Sequence, residues 1–140
     1  MESVKLFIDT NIVLDYFTGR MNDGYAKTII QLGQNPQFEL CISVLTAVNT
    51  LYVSRKYAAL KPSDISRLFQ ILQQDYRQYC HAQTLDIDDF EDALQVACAI
   101  ENECRVIVTR DLHLLDSNIH SPIILSPEEF VRQVTKNLSE

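Results

Sequence analysis

The stretch Leu6-Phe7-Ile8-Asp9-Thr10-Asn11-Ile12 decides the fold of this chain. Its apolar first half, which begins at Val4, is typical of a short strand buried on both faces of a parallel sheet. The polar residues that follow predict a helix beginning at Asn11, with Thr10 as its cap and Gly19 at its end. Asp9 therefore stands where a strand passes into a helix, at the carboxyl edge of the predicted sheet.

The same alternation of short apolar runs and amphipathic stretches recurs along the chain. Further strands are predicted at residues 38–42, 105–109 and 123–125, with a weaker candidate at 79–83. Further helices are predicted at residues 23–34, 43–57, 63–74 and 86–101, and from residue 126 onward. We therefore expect an α/β fold, a three-layer α/β/α sandwich with a central parallel sheet of four to five strands. A chain of 140 residues suits one domain, which we assign to residues 1–140.

Composition limits the classes of function that suit this chain. A formal net charge of −7 disfavours long-range attraction of nucleic acid, so an anionic substrate would have to be held locally. No run approaches the roughly 18 apolar residues of a membrane span, and residues 1–9 lack the features of a secretion signal. We expect no membrane association and a cytoplasmic location. The four cysteines show no paired-ligand spacing, which indicates reduced core residues.

Three aspartates are candidates for a shared site. Asp9 and Asp111 each follow an apolar strand, and ligands of open α/β sheets bind outside the carboxyl ends of strands. Asp92 shares a helical line with Val96 and Ala99, which places it on a partly apolar flank. Each residue also has a purely structural interpretation, as a helix cap or turn residue for Asp9 and Asp111 and as a first-turn acid for Asp92.

Carboxylates on one rim would repel one another unless a cation or a shared proton neutralised them. A cation is the better explanation, and oxygen ligands select hard ions such as Mg²⁺ or Mn²⁺. These ions activate water and stabilise charge on phosphate. The residues therefore favour hydrolysis of phosphodiester bonds.

Four motifs together make the sequence similar to the PIN-domain family over essentially the whole chain. They are residues 6–12, Asp89-Phe90-Glu91-Asp92-Ala93-Leu94, Val108-Thr109-Arg110-Asp111 and Ser126-Pro127-Glu128-Glu129-Phe130. The resemblance implies a metal-dependent ribonuclease of the VapC-like toxin type. It assigns catalytic positions to Asp9, Asn49, Asp92 and Asp111, with the three aspartates as metal ligands.

Asn49 departs from the family pattern, because Glu is commonest at this position of the middle-helix motif. An amide oxygen can still coordinate metal or hold water, although we expect weaker metal binding. Asn49 is otherwise simply a polar residue on a helix face. Leu114 also stands where relatives often have another acid, and Asp116 would compensate only if the following turn bends inward. These departures leave an alternative open, a degenerate PIN module that binds RNA or a protein without cleaving.

Several polar residues have predicted supporting roles. Thr10, Asn11 and Thr109 are placed to hydrogen-bond the carboxylates or a metal-bound water, and capping is the alternative for each. Asp89 is an outer ligand or a residue that orients water, and its alternative is a first-turn acid that the helix dipole favours. Arg55, Lys56, Lys61 and Arg110 are the candidate RNA contacts, although a solvated surface is favoured over RNA contact for each of them.

The resemblance further implies the toxin half of a toxin–antitoxin pair, with an RNA substrate, an antitoxin partner and a homodimer. A competing chemical class, aspartyl phosphotransfer with Asp9 as nucleophile, is disfavoured. No second acid stands two residues after Asp9, and no obvious catalytic Lys is present. The RNA target, the number of ions and the effect of Asn49 on activity do not follow from the sequence.

Overall fold

A parallel sheet of five strands forms the centre of the molecule within residues 2–21, 23–57 and 59–139, which the computed structural model describes. The strands are β1 (Val4–Ile8), β2 (Phe38–Ser43), β3 (Gln70–Leu72), β4 (Val106–Val108) and β5 (Ile123–Leu125). Their order across the sheet is β3-β2-β1-β4-β5, and every neighbouring pair is parallel. The strand that ends at Asp9 therefore occupies the centre of the sheet.

Helices connect the strands and cover both faces of the sheet. They are α1 (Thr10–Thr18), α2 (Tyr25–Leu32), α3 (Val44–Ser54), α4 (Pro62–Ser66), α5 (Tyr76–Thr84), α6 (Phe90–Glu101), α7 (Leu112–Leu115) and α8 (Pro127–Ser139). Leu6 and Ile8 of β1 belong to a core cluster with residues of α1, α2, α3, α4 and α8. Phe7 points to the other face and packs in a cluster with residues of α6 and α7. The predicted three-layer α/β/α sandwich with a parallel sheet is thus confirmed.

Two local predictions in the middle of the chain are wrong. The helix predicted at residues 63–74 ends at Ser66, and Gln70–Leu72 instead form β3 along the edge of β2. The weak strand candidate at residues 79–83 lies inside α5, whose cap Asp75 accepts a hydrogen bond from the Gln78 N–H at 3.2 Å. In the first case pairing with β2 prevails over helical periodicity. In the second case capping prevails over the strand preference of Tyr79.

The cap of α1 is Asp9 and not Thr10 as predicted. The Asp9 side chain accepts a hydrogen bond from the Thr10 N–H at 2.8 Å, so Thr10 becomes the first residue of the helix. Gly19 ends α1 in the left-handed conformation, with φ of 66°, which a residue without a Cβ adopts readily. One side chain thus joins the end of β1 to the start of α1.

The carboxyl ends of β1, β2 and β4 lie side by side at one edge of the sheet. The Asp9 N–H donates to the Val108 carbonyl at 3.0 Å, which holds the ends of β1 and β4 in register. Ser43 ends β2 and caps α3 by accepting from the Thr46 N–H at 3.0 Å. Residues that follow these strands therefore meet at a single edge.

The remaining sequence expectations about composition concern the cysteines and membrane spans. All four cysteines are free, and Cys41, Cys98 and Cys104 are buried. Within the described ranges, none of the helices combines the length and the apolar character that crossing a membrane requires.

Candidate active site

Asp9 is buried at the sheet edge and fully engaged by hydrogen bonds. Its side chain is part of a residue only 6% exposed. One carboxylate oxygen, Oδ1, accepts from the Thr10 N–H at 2.8 Å and from Gln95 Nε2 at 3.2 Å. The other, Oδ2, accepts from Thr109 Oγ1 at 2.7 Å and from Asn11 Nδ2 at 3.4 Å. Neutral donors on four sides therefore fix the direction in which this carboxylate points.

Thr109 connects Asp9 to Asp111. Its buried hydroxyl donates to Asp9 and accepts from the Asp111 N–H at 3.0 Å. The Asp111 carboxylate in turn caps α7 by accepting from the His113 N–H at 2.8 Å. The predicted hydrogen-bonding roles of Asn11 and Thr109 agree with these contacts, and capping accounts for part of the role of Asp111.

Asp92 and Asp111 form a carboxyl pair. Burial, the negative charges of Asp111 and Asp89, a side-chain hydrogen bond with Asp111 and the charge of Asp9 together raise the pKa of Asp92 to about 7, with burial as the largest cause. A hydrogen bond between two carboxyl groups requires a proton, so the pair shares one near neutral pH. Asp89 caps α6 by accepting from the Asp92 N–H at 3.0 Å, which places it beside the pair.

The carboxyl pair opens into an acidic cavity of about 490 Å³. The cavity is lined by Asp86, Ile87, Asp88, Asp89, Asp92, Asp111, His113, Asp116, Ser117 and Asn118. Asp116 follows α7 and lines the same cavity as Asp111, so the turn does bend inward as the sequence analysis required. Asp9 does not line the cavity, because it lies behind the carboxyl pair in the protein interior.

The donors of this site fit a hard divalent cation. Its available ligands are carboxylate oxygens, and a cation between Asp92 and Asp111 would replace the shared proton. Within the described ranges, no three His, Cys, Asp or Glu side chains are grouped closely enough to hold one ion. The structure therefore brings Asp92 and Asp111 together and keeps Asp9 adjacent, without arranging all three as one ligand set. A site with two carboxylate ligands and water as the remaining ligands suits Mg²⁺ in particular, because Mg²⁺ retains much of its hydration.

Asn49 belongs to α3 and does not line the acidic cavity. It stands one helical turn after Thr46, whose hydroxyl contacts Thr10 Oγ1 at 2.7 Å and accepts from Gln95 Nε2 at 2.9 Å. Among the described residues, Asn49 makes no side-chain hydrogen bond. The amide is half-buried and therefore retains its polar atoms for a ligand or for solvent.

Arg110 is occupied by two aspartates and not exposed as a phosphate contact. Its guanidinium donates to Asp15 at 2.5 Å and to Asp23 at 2.9 Å, and Arg20 pairs with the other Asp15 oxygen at 2.6 Å. Burial lowers the pKa of Arg110, but the hydrogen bond and charge of Asp15 together with Asp23 raise it above its ordinary value. We therefore reinterpret Arg110 as an anchor of the segment that carries Asp111.

The other predicted RNA contacts lie away from the carboxyl pair. Arg55 and Lys56 follow the last residue of α3, and Lys61 precedes Pro62 at the start of α4. Arg55 also packs over the ring of Tyr52, with 3.7 Å between guanidinium carbon and ring centroid. None of these three basic residues lines the cavity that contains Asp92, and their contact with RNA stays a prediction.

Sequence reasoning missed Gln95, which contacts Asp9 directly. Gln95 is 2% exposed and belongs to α6, three residues after Asp92. A signal was present in the sequence, because residues three apart on a helix share a face and Gln95 is the polar residue before the apolar run 96–99. Asp15 was missed similarly, as a buried acid among apolar residues of α1.

Comparison with known proteins gives three kinds of match. A family model described as PIN domain matches residues 5–113. The curated protein Ribonuclease VapC1 of Aquifex aeolicus (strain VF5) is 28% identical, over 93% of this chain and 95% of that protein. The assignment of all 140 residues to a single domain stays a prediction.

Solved structures share the fold. A chain of a toxin-antitoxin complex from Klebsiella pneumoniae has a TM-score of 0.66 at 22% identity, over 87% of this chain and 97% of that one. A chain of VapBC2 from Rickettsia felis, bound to a DNA fragment from its promoter, has a TM-score of 0.60 at 18% identity, with the same coverage. Since the family model spans most of the molecule and includes the edge that carries Asp9, Asp92 and Asp111, this chain belongs to the PIN-domain family.

Proposed function

We propose that this chain is a metal-dependent endoribonuclease and the toxin of a toxin–antitoxin pair. The observation that carries the proposal is the Asp92–Asp111 carboxyl pair, with Asp9 behind it, at the carboxyl edge of a parallel sheet. Arg110, the basic neighbour of Asp111, is directed to Asp15 and Asp23 instead. The negative charge of the pair is thus available for a divalent cation.

Each residue of the site has a defined part in this proposal. Asp92 and Asp111 hold Mg²⁺ or Mn²⁺, and Asp9 supplies a fixed negative charge next to them. When bound, the cation lowers the pKa of water and stabilises the negative charge that develops on the phosphate. Asn49 offers an amide to water or to the substrate, and Asp116 adds charge at the cavity wall.

The proposed partners, RNA and an antitoxin, are supported by the similar proteins and by the charge of the cavity. The relative named Ribonuclease VapC1 supports RNA as the substrate, and the toxin-antitoxin and VapBC2 complexes support an antitoxin. A cavity lined by six aspartates suits a basic antitoxin segment, which would neutralise the wall and displace the metal. We also propose a homodimer, and a cytoplasmic location stays a prediction from the sequence.

The test is cleavage of single-stranded RNA by the purified chain in Mn²⁺ or Mg²⁺. We expect Asp92→Asn to lower the cleavage rate on the order of 100-fold or more, because a pre-arranged charge is lost from the site. Glu91→Gln is the matched control, since Glu91 is exposed in the same helical turn and does not line the cavity. Full retained cleavage by Asp92→Asn, or by Asp9→Asn, would reject the mechanism.

A second candidate is a PIN module that binds RNA or a protein without cleaving. Asn49 favours it, and so does the lack of a three-ligand group within the described part of the chain. Titration calorimetry with MnCl₂ separates the two candidates. The absence of binding at millimolar Mn²⁺, together with retained RNA binding, supports the module, whereas binding that Asp92→Asn abolishes supports the nuclease.

A further inference from the structure

We propose that Gln95 is a positioning residue that fixes the Asp9 carboxylate beside the Asp92–Asp111 pair. The consequence for metal binding rests on the proposed function, whereas the contact between Gln95 and Asp9 does not. Gln95 and Asp92 belong to the same helix, α6, so this helix supplies both a metal ligand and the donor that orients a second acid.

Gln95 is the centre of a buried polar chain. Its Nε2 donates to Asp9 Oδ1 at 3.2 Å and to Thr46 Oγ1 at 2.9 Å, and its Oε1 accepts from Ser43 Oγ at 2.6 Å. Ser43 and Thr46 are fully buried. Every polar atom of the Gln95 amide therefore has a partner, as burial requires.

The chemistry of these partners determines the orientation of the amide. A reversed amide would place Oε1 against Asp9 Oδ1, so that two acceptors would face each other at hydrogen-bonding distance. It would also remove the shorter of the two contacts to an acceptor that the Ser43 hydroxyl has, at 2.6 Å to Gln95 Oε1 and 3.2 Å to Thr46 Oγ1. Ser43 also caps α3 by accepting from the Thr46 N–H. The acceptor on Asp9 thus determines that the Gln95 amide nitrogen meets it.

Removing the Gln95 donor would leave Oδ1 of Asp9 with one partner, the Thr10 N–H. The Thr10 N–H and the two donors on Oδ2 would still hold the carboxylate, but rotation about its Cβ–Cγ bond would be less restricted. The orientation of its charge beside Asp92 would therefore be less well defined. Groups that orient metal-site carboxylates typically change metal affinity by about 10–100-fold when they are lost. Gln95 is expected to fall within this range.

The first experiment measures binding of MnCl₂ by calorimetry and RNA cleavage in Mn²⁺. Gln95→Met keeps the length of the side chain and removes the donor. Gln78→Met is the matched control, because Gln78 is a buried glutamine of α5 that donates to the Gln73 carbonyl at 2.8 Å, away from Asp9. We expect Gln95→Met to weaken Mn²⁺ binding by about 10–100-fold and to lower kcat more than it raises KM. Gln78→Met is expected to change neither.

The second experiment contains no metal. Urea unfolding in EDTA is measured for Gln95→Met, Asp9→Ala and the double variant. If Gln95 acts through Asp9, the double variant shifts the midpoint by less than the sum of the two single shifts, since its contact with Asp9 is already lost in Asp9→Ala. The Gln95 hydrogen bonds to Ser43 and Thr46 are lost in either background and do not affect this comparison. Additive shifts of the midpoint would overturn the proposal, as would equal Mn²⁺ affinities for Gln95→Met and Gln78→Met. A wild-type chain that binds no Mn²⁺ would reject the proposed function, and the urea cycle alone would then decide whether Gln95 positions Asp9.

Discussion

At the scale of single residues, Asp92 is the acid of the site whose pKa is raised. Its carboxyl group is half-buried and has Asp111, Asp89 and Asp9 as its charged neighbours. An acid whose pKa is higher in the folded than in the unfolded chain favours folding as the pH falls from the folded pKa toward the unfolded one. For Asp92 this window extends from about 7 down to its ordinary value of 3.8.

We predict that binding of Mn²⁺ weakens by up to about tenfold per pH unit below pH 7, because each bound ion displaces the shared proton of the carboxyl pair. In EDTA, by contrast, lowering the pH from 8 to 6 should raise the Tm. Calorimetry and thermal unfolding at pH 6, 7 and 8 measure the two effects. Asp92→Asn should remove the rise in Tm, and a wild-type Mn²⁺ affinity that does not change between pH 6 and 8 would contradict the prediction.

The sequence contained enough information to propose Asp9, Asp92 and Asp111, since each has a defined position relative to a strand end or a helix face. It did not contain the pairing of Asp92 with Asp111, which depends on how α6 packs on the sheet. Nor did it contain the contact of Gln95 with Asp9 or the place of Asp116 in the cavity wall. Their roles depend on the direction of a turn and on the rotamer of a buried side chain.

At the scale of elements, Asp15 joins α1 to the segment between β4 and α7. The Asp15 carboxylate is buried, with Arg110 on one oxygen and Arg20 on the other. Arg110 directly precedes Asp111, so this ion pair holds the backbone that presents Asp111 to the cavity. Helix α1 thereby fixes both Asp9, at its cap, and the position of Asp111.

We predict that Asp15→Asn lowers the free energy of unfolding by roughly 2–3 kcal/mol, because hydrogen bonds between charged groups are lost in a buried place. Asp23→Asn removes a more exposed partner of the same Arg110 and should cost less than about 1 kcal/mol. Urea denaturation at pH 7 gives both values. Equal losses for the two variants would show that burial of Asp15 does not strengthen this ion pair.

Helices and strands could be predicted from the sequence where their local hydrophobic pattern is strong. β1, β4 and α6 were identified because their apolar runs and helical spacing are long or uninterrupted. β3 was missed because three residues pair with β2 only after the chain has folded back, and nothing local distinguishes them from a continuing helix. α5 was missed although its cap, Asp75, is a recognised helix-start residue.

At the scale of the whole molecule, apolar side chains gather on the surface formed by α3 and α5. Val44, Val48 and Tyr52 of α3 and Tyr76 and Tyr79 of α5 are all exposed. The rings of Tyr76 and Tyr79 stack, with centroids 6.2 Å apart, and Phe90 packs edge-on against Tyr79 at 5.0 Å. We refer to these residues of α3 and α5 as the α3–α5 face. Contiguous exposed apolar surface of this kind marks interaction sites.

We predict that the wild-type chain sediments at close to twice its mass of 16.1 kDa, with the α3–α5 face as the dimer interface. Val48→Asp should yield a monomer, because an unpaired charge would be buried in the contact. Met21→Asp is the control, since Met21 is also exposed and apolar but lies outside this face. Analytical ultracentrifugation at micromolar concentration measures the mass, and a dimeric Val48→Asp variant would refute the assignment.

The long-range hydrogen bonds on Asp9 determine when the site can form during synthesis of the chain. Two of the four hydrogen bonds on the Asp9 carboxylate come from residues 86 and 100 positions later in the sequence. Domains fold as units once their long-range partners are available. A growing chain therefore cannot complete the hydrogen bonds that hold Asp9 until residues 109–111 have left the ribosome.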